Sequence, residues 1–503
     1  MKKLIILSTI LSLSILSFAQ SRTIEITPGM LESTLAGEYS LTALTIKGSM
    51  DVRDFACIND NLTALTTIDL SGCSIKAYDS RNEQYLGYQT HFEDNVIPAS
   101  AFLGFTELEK VTLPSNTTAI GNGAFAGCEK LTTVTGGDMI EVVGEYAFSG
   151  CSALKTITLP STLRRISDYA FDKCTSLAAV DLSQCNKLSY IGKRAFAQNA
   201  SLTTVKFANT VKTLGEAAFA GCNALLNITL PTSITHCGKG AFAGCSVLEK
   251  ADFSEAQIDT LSAWTFAGCP VLIEILLPQS ITAINEGAFY YCSALPTIAL
   301  PAGIENLDSF AFAGCNAIQT IDFMPENLES IGRYTFYQNT SATKVLIPET
   351  TSYIGDHAFD GCINASDFST EREMPAELGE MVFANMNVEE KSLNVPTESV
   401  AIYEATAQWQ DFGKINGISA VEDVTIENKF GVAFEQYNLL ISSAQEMTDL
   451  RLFNTAGMLL AHIKPHSNNA TIDTQSFVDN IYLIHATTAD GQQAITKVAR
   501  VMR

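Results

Sequence analysis

The sequence predicts a solenoid of stacked parallel-strand coils followed by a small β-sandwich. Three observations carry this. A phenylalanine recurs every 23–25 residues from Phe102 to Phe383. A fixed set of aliphatic positions travels with it. The last 80 residues abandon the period for short strands joined at turn residues.

The recurring positions are Phe102, Phe125, Phe148, Phe171, Phe196, Phe219, Phe242, Phe266, Phe289, Phe312, Phe336, Phe359 and Phe383. A period of about 20–29 residues belongs to leucine-rich-repeat solenoids, in which each unit gives one strand and a turn-rich return. Aliphatic residues follow the phenylalanine by six, nine and eleven, as Leu154, Ile157 and Leu159 do in "CSALKTITLP". The last two alternate as a short strand requires. Proline then stops pairing at Pro114, Pro160, Pro231, Pro278, Pro301 and Pro348, because it has no N–H to donate. Another aliphatic, such as Ile120, Ile191 or Ile331, leads into the next Ala-Phe turn. One coil cannot bury these side chains alone, whereas stacked coils cover each other. At ~4.8 Å per strand, thirteen coils would form a curved rod roughly 60 Å long.

A second column follows the phenylalanines. Cysteine stands three residues later at Cys128, Cys151, Cys174, Cys222, Cys245, Cys269, Cys292, Cys315 and Cys362, and asparagine takes the place at Asn199 and Asn339. Disulfide partners would not alternate with asparagine, but small inward residues that reach backbone groups would. The expectation is a structural ladder of buried thiols. Disulfides between neighbouring coils are the rival reading, since an exported chain meets an oxidising compartment. Zinc has little support: there is no CxxC pair, and six histidines are scattered over 503 residues.

The remaining segments follow in order. Residues 1–19 carry Lys2 and Lys3, an apolar run and small residues at Ser17 and Ala19, as in a secretory signal cut between Ala19 and Gln20. Residues 20–50 are expected to form an N-terminal cap, 51–391 the solenoid, and 392–412 a C-terminal cap with a short amphipathic helix holding Val400, Tyr403 and Trp409. Residues 78–94 are polar and irregular, and read as an excursion from one coil. A linker spans 413–423. Within 424–503, strand–turn–strand patterns centre on Gly457 and on Asp490-Gly491.

Charge and motifs narrow the function. With 31 basic and 54 acidic residues the net charge is −23, which repels phosphate backbones and anionic lipid. Nucleic acid is therefore not expected as a partner, and no later stretch is long and apolar enough to span a bilayer. HExxH, GxSxG and Walker-type patterns are absent, so no catalytic residue and no cofactor are assigned. The outward strand positions are the candidate concave binding face: Lys110, Thr112, Thr156, Thr158, Thr204, Lys206, Asn227, Thr229, Lys250, Asp252, Glu274, Thr320, Asp322 and Lys344. They are mostly threonine and mixed charge, which also suits plain solvent-facing strands.

Written out as "AFAGC…L..I.LP…I…AF", the repeat resembles those of BspA-like, Treponema-type bacterial surface proteins over about residues 50–412. That resemblance implies a right-handed solenoid, surface exposure, and adhesion to host or bacterial surface proteins. The C-terminal "LFNTAGMLL", "IYLI" and "KVAR" resemble the sorting domain read by the type IX secretion machinery of Bacteroidetes, which implies that machinery as a partner. The expected function is a secreted or surface-displayed, non-enzymatic binding protein with a protein or surface-polymer ligand. The alternative is a passive structural or biofilm-matrix component.

Overall fold

The structure, a computed structural model, describes residues 20–81, 83–86, 89–418, 430–435, 438–454, 459–474, 481–489 and 493–499. Residues 1–19, where a secretory signal is expected, lie outside them. The chain divides into two units, Met1–Gly417 and Ile418–Arg503.

The first unit is a parallel-strand solenoid. Its long ladder begins with Ser21–Ile26, Ala43–Met50, Thr67–Ile75, Lys110–Thr112 and Thr133–Thr135, all parallel and paired in chain order. It resumes as Ala179–Asp181 with Thr204–Lys206, then as Asn227–Thr229, Lys250–Asp252 and Glu274–Leu276. The last block runs from Thr320–Ile321 to Lys414–Ile418. One break separates Thr204–Lys206 from Asn227–Thr229, and two more fall at 155–158 and 297–299, where no strand forms although Ile298 stays buried and Ile157 half-buried. Pro296 explains the break at 297–299. In most other coils the residue seven after the phenylalanine donates its N–H to the coil before, as Ile273 does to Glu249 (2.9 Å) and Thr343 to Gln319 (2.8 Å). Proline has no N–H to give.

A second parallel ladder of two-residue strands runs from Val96–Ile97 to His236–Cys237, and again from Thr260–Leu261 to Glu377–Leu378. The Ala-Phe turns form a third hydrogen-bonded side. Phe102 N–H donates to Ala124 O at 2.7 Å, Phe125 to Ala147 at 2.8 Å, and Phe148 to Ala170 at 2.7 Å. The phenylalanines stack along the interior, with ring centroids 5.1 Å apart and planes 7° from parallel for Phe102 and Phe125. The last pair, Phe359 and Phe383, is 6.1 Å apart.

Both ends depart from the expected boundaries. A helix, α1 (Leu31–Leu35), lies in the first return, and a longer one, α2 (Val52–Asn61), begins where the first coil is expected. Asp51 and Asp54 close a capping box on α2. Asp54 is buried and also accepts from Gly29 N–H (2.7 Å) and Leu31 N–H (2.9 Å), which ties α2 to the preceding coil. The excursion contains a short antiparallel pair, Tyr78–Asp79 with His91–Phe92. At the far end the expected cap helix is a single turn, Val400–Tyr403, followed by a 3₁₀ turn at Trp409–Asp411. Trp409 is buried and its indole N–H donates to Ala376 O at 3.0 Å. Lys414–Ile418, expected within the linker, instead adds the final strand of the long ladder.

Among its described residues, the second unit is all-β. One antiparallel sheet is organised around Asn438–Asn454, a 17-residue strand. Its first part pairs with Phe430–Glu435 and Ser467–Asp473, and its second part with Leu459–Ile463 and Ile481–Thr488. Ile481–Thr488 also pairs with Gln493–Ala499. Leu439, Ile441, Met447, Leu450 and Leu452 supply its core. This antiparallel sheet, built on one shared strand, is consistent with the small β domain expected at this end. Gly457 and Asp490-Gly491 lie outside the described residues.

Candidate functional site

Alternation along the long ladder sends Val111, Ile228, Ala251, Ile275, Ile321 and Val345 inward and leaves their neighbours outside. Lys110, Thr156, Thr158, Thr204, Lys206, Asn227, Thr229, Lys250, Glu274, Asp322 and Lys344 are exposed, whereas Thr112, Asp252 and Thr320 are half-buried. Register sorts them into blocks. Asn227, Lys250 and Glu274 form one row, with Thr229, Asp252 and Leu276 beside it. Thr204 and Lys206 face Ala179 and Asp181. Lys110 and Thr112 face Thr133 and Thr135, and Thr320 faces Lys344. Thr156 and Thr158 sit in the break.

The charges on this face answer one another. Lys250 Nζ lies 2.7 Å from Glu274 Oε2, and Lys206 Nζ 3.4 Å from Asp181 Oδ2. Asp181 accepts from Ser183 Oγ (2.6 Å) and N–H (3.0 Å), and those bonds hold its carboxyl below the usual range. Asp252 repeats the arrangement with Ser254. Exposed aliphatics stand beside the charges: Leu276 is 46 % exposed, and Leu226, Ile273 and Leu346 are similar. Sequence reasoning passed over Leu276 and Leu346. The available signal was their place in the outward register, which other coils fill with polar residues.

Inside, each column thiol donates to the phenylalanine carbonyl one coil back. Cys128 Sγ is 3.1 Å from Phe102 O, Cys222 3.2 Å from Phe196 O, and Cys362 3.1 Å from Phe336 O. Cys151, Cys174, Cys245, Cys269, Cys292 and Cys315 make the same contact. Asn199 Nδ2 bridges Phe171 O (3.1 Å) and Phe196 O (2.9 Å), whereas neither amide atom of Asn339 has a partner. All thirteen cysteines are buried and free. Burial pushes the Cys128, Cys245, Cys315 and Cys362 thiols up to about 12. Such a group stays protonated near neutrality, so it fills space and donates rather than attacks. Among the described residues, no cluster of histidine, cysteine and carboxylate could hold a metal, and no helix is long and apolar enough to cross a membrane.

Comparison with known proteins returns the same repeat. Six copies of the BspA type leucine-rich-repeat region match residues 95–223, 189–318 and 282–406. No curated protein matches the chain. Among solved structures, a leucine-rich repeat protein from Bacteroides ovatus is 24 % identical, covering 66 % of this chain and 90 % of its own, with a TM-score of 0.40. A leucine-rich cell surface protein from Faecalibacterium prausnitzii is 23 % identical, covering 61 % and 87 %, with a TM-score of 0.41. The pneumococcal vaccine antigen PcpA is 17 % identical, covering 63 % and 80 %, with a TM-score of 0.38.

Proposed function

This chain belongs to the BspA type leucine-rich-repeat family, and from that premise we propose that it is a secreted or surface-displayed, non-enzymatic adhesin. It binds a host or bacterial surface protein through the outward side of its long strand ladder. The observation that carries this reading is the row Asn227, Lys250, Glu274 with Leu226, Ile273 and Leu276 exposed at its border. Apolar side chains beside oriented charges suit a protein interface, whose apolar centre is rimmed by polar groups. Export rests on the signal-like residues 1–19, with cleavage between Ala19 and Gln20. The second unit acts as a sorting domain for a type IX machinery, a reading its all-β build and the "IYLI" strand support.

The test is adherence of the mature chain, residues 20–503, to host matrix and bacterial surface proteins. Replacing Leu276 and Ile273 by serine is expected to abolish capture while thermal unfolding stays unchanged. Undiminished capture would remove the face from consideration. One observation favours a passive matrix role instead: Lys206 and Lys250 already spend their charge within the ladder. That role predicts concentration-dependent self-association of the purified chain and no captured partner.

A further inference from the structure

The turn edge of the solenoid carries aromatic side chains that the fold does not ask for. In every coil from Ser100 (φ 57°) to Met381 (φ 53°), the residue two before the column phenylalanine has a left-handed backbone. Glycine is the easy occupant of that conformation and other residues strain it by about 1–2 kcal/mol. Gly123, Gly240 and Gly287 take it in three coils, yet Trp264 (φ 59°), Phe310 (φ 61°) and Tyr334 (φ 55°) hold it elsewhere. The three rings are only half-buried, so packing offsets the strain in part, and strain kept at a partly open edge points to use.

These rings join into one strip over five successive coils. Trp264 meets Tyr290 at 5.4 Å, Tyr290 meets Phe310 at 6.2 Å, and Phe310 stacks on Tyr334 at 4.8 Å. Tyr334 stacks in turn on the His357 imidazole at 4.7 Å. Tyr291, 43 % exposed, packs against Tyr290 at 4.5 Å. Glycines in the following coil make room: a Cβ on Gly287 would fall 2.5 Å from the Trp264 ring, and one on Gly314 3.1 Å from the Tyr291 ring. The turns bearing the strip contain Glu286, Asp308 and Asp356 against one guanidinium, Arg333, which is itself bound to Asp356 at 3.2 Å, while Asp360 is buried and held by His357 and Asn385.

The chain displays on the same edge what such a surface accepts. Tyr146 and Tyr169 stack at 4.6 Å, and Arg194 from the next coil lies over Tyr169 with Cζ 5.6 Å from the ring centroid. Arg194 Nη2 also reaches Asp172 Oδ1 at 3.2 Å. Ring face and carboxylate together seat one guanidinium, a pairing that attracts cations beyond simple charge.

We propose that the strip from Trp264 to His357 docks an extended basic polypeptide segment, with arginine or lysine side chains against its rings and beside its carboxylates. A neutral glycan would leave the carboxylates unused, and an anionic one would be repelled. Trp, Tyr and Arg are also the residues that dominate interface energetics. This edge is separate from the strand face proposed above, so each can fail without the other.

The experiment titrates the mature full chain with a short labelled peptide alternating arginine with glycine. Binding is expected at low salt and should weaken as salt rises. The double variant Trp264→Gly/Tyr291→Gly places glycine where other coils already have it, so the backbone is relieved. It should bind about tenfold more weakly, equal to about 1.4 kcal/mol, whereas Tyr146→Gly should bind like the parent chain. If thermal unfolding shows the double variant damaged, Glu286→Gln/Asp308→Asn keeps every ring and should still weaken binding about threefold, about 0.6 kcal/mol. No binding of the arginine peptide, equal binding of a glutamate–glycine peptide or a neutral glycan, or parent-like affinity in the intact variant would each overturn the proposal.

Discussion

Cys315 donates its thiol to the carbonyl oxygen of Phe289, 3.2 Å away and one coil back. The contact joins the two interior columns, since the carbonyl belongs to the stacked phenylalanine and the thiol fills the turn below. It also fixes a pH dependence. A thiol that ionises near 9.0 in the open chain ionises at about 12 at Cys315, Cys245 and Cys362, because burial penalises the thiolate. The folded state then binds more protons than the unfolded one between those values, and stability falls as pH rises. Stability should be full below pH 9.0 and drain away towards pH 12, helped by the buried Tyr403 hydroxyl, also raised to about 12. Urea midpoints across that range check it, together with thiol-reagent labelling near neutrality, which should be slow until the chain unfolds. Fast labelling of the native chain, or a midpoint that stays level through the window, would contradict sealed thiols.

Asn339 is the weak link of that column. Nine coils place cysteine there, and Asn199 satisfies two carbonyls through Nδ2 while its Oδ1 lacks a partner, but Asn339 buries both Nδ2 and Oδ1 without partners. Each buried polar group left unpaired costs about 1–3 kcal/mol. Asn339→Cys should therefore raise stability by about 1–3 kcal/mol, whereas Asn199→Ala should lower it by a similar amount. Chemical denaturation of the two variants reads the opposite signs directly.

The coil architecture was legible because one spacing repeats along the chain and each repeat buries the same side chains: Phe125, Leu131 and Ile120 are inward, as their positions imply. The helix α2 was not legible. "VRDFACINDN" lacks the Ser/Thr and Glu/Gln of the familiar capping signature, and its capping box rests on two aspartates. The aromatic strip escaped for another reason. Trp264, Phe310, Tyr334 and His357 share the place two before the column phenylalanine, but Gly287 interrupts that column, and only the stacking of coil on coil lets Tyr290, from a different position, bridge Trp264 to Phe310. The strand face was located by alternation alone, but alternation does not reveal that Lys250 is already bound to Glu274.

That ion pair changes how the face must be tested. Glu274 lies directly opposite Lys250 in register, at 2.7 Å between charged atoms. Lys250→Glu would set two carboxylates across a strand pair, which destabilises by about 0.2–1 kcal/mol. Lys250→Gln should be nearly neutral, and Lys250→Glu/Glu274→Lys should recover the parent's melting temperature. Lys250 and Glu274 are both exposed and screened, so the differences should shrink in high salt. A ligand-binding loss in Lys250→Gln with unchanged melting would then report on recognition alone.

Lys173 offers the sharpest test of the turn. Two residues after the column phenylalanine the backbone is again left-handed, and glycine holds the place at Gly104, Gly127, Gly150, Gly221, Gly244, Gly268, Gly314 and Gly361. Lys173 holds it with φ 60° and an exposed side chain, so little packing compensates the strain. A side chain costs about 1–2 kcal/mol in this conformation, while glycine gives back about 0.5–1 kcal/mol through the freer unfolded chain. Lys173→Gly should gain about 0.5–1 kcal/mol. Lys173→Ala keeps the Cβ and its penalty, so it should gain nothing despite removing the same charge. Gly150→Ala, one coil earlier at φ 76°, should lose stability. Equal stabilities for Lys173→Gly and Lys173→Ala would mean that charge, not backbone conformation, governs the position.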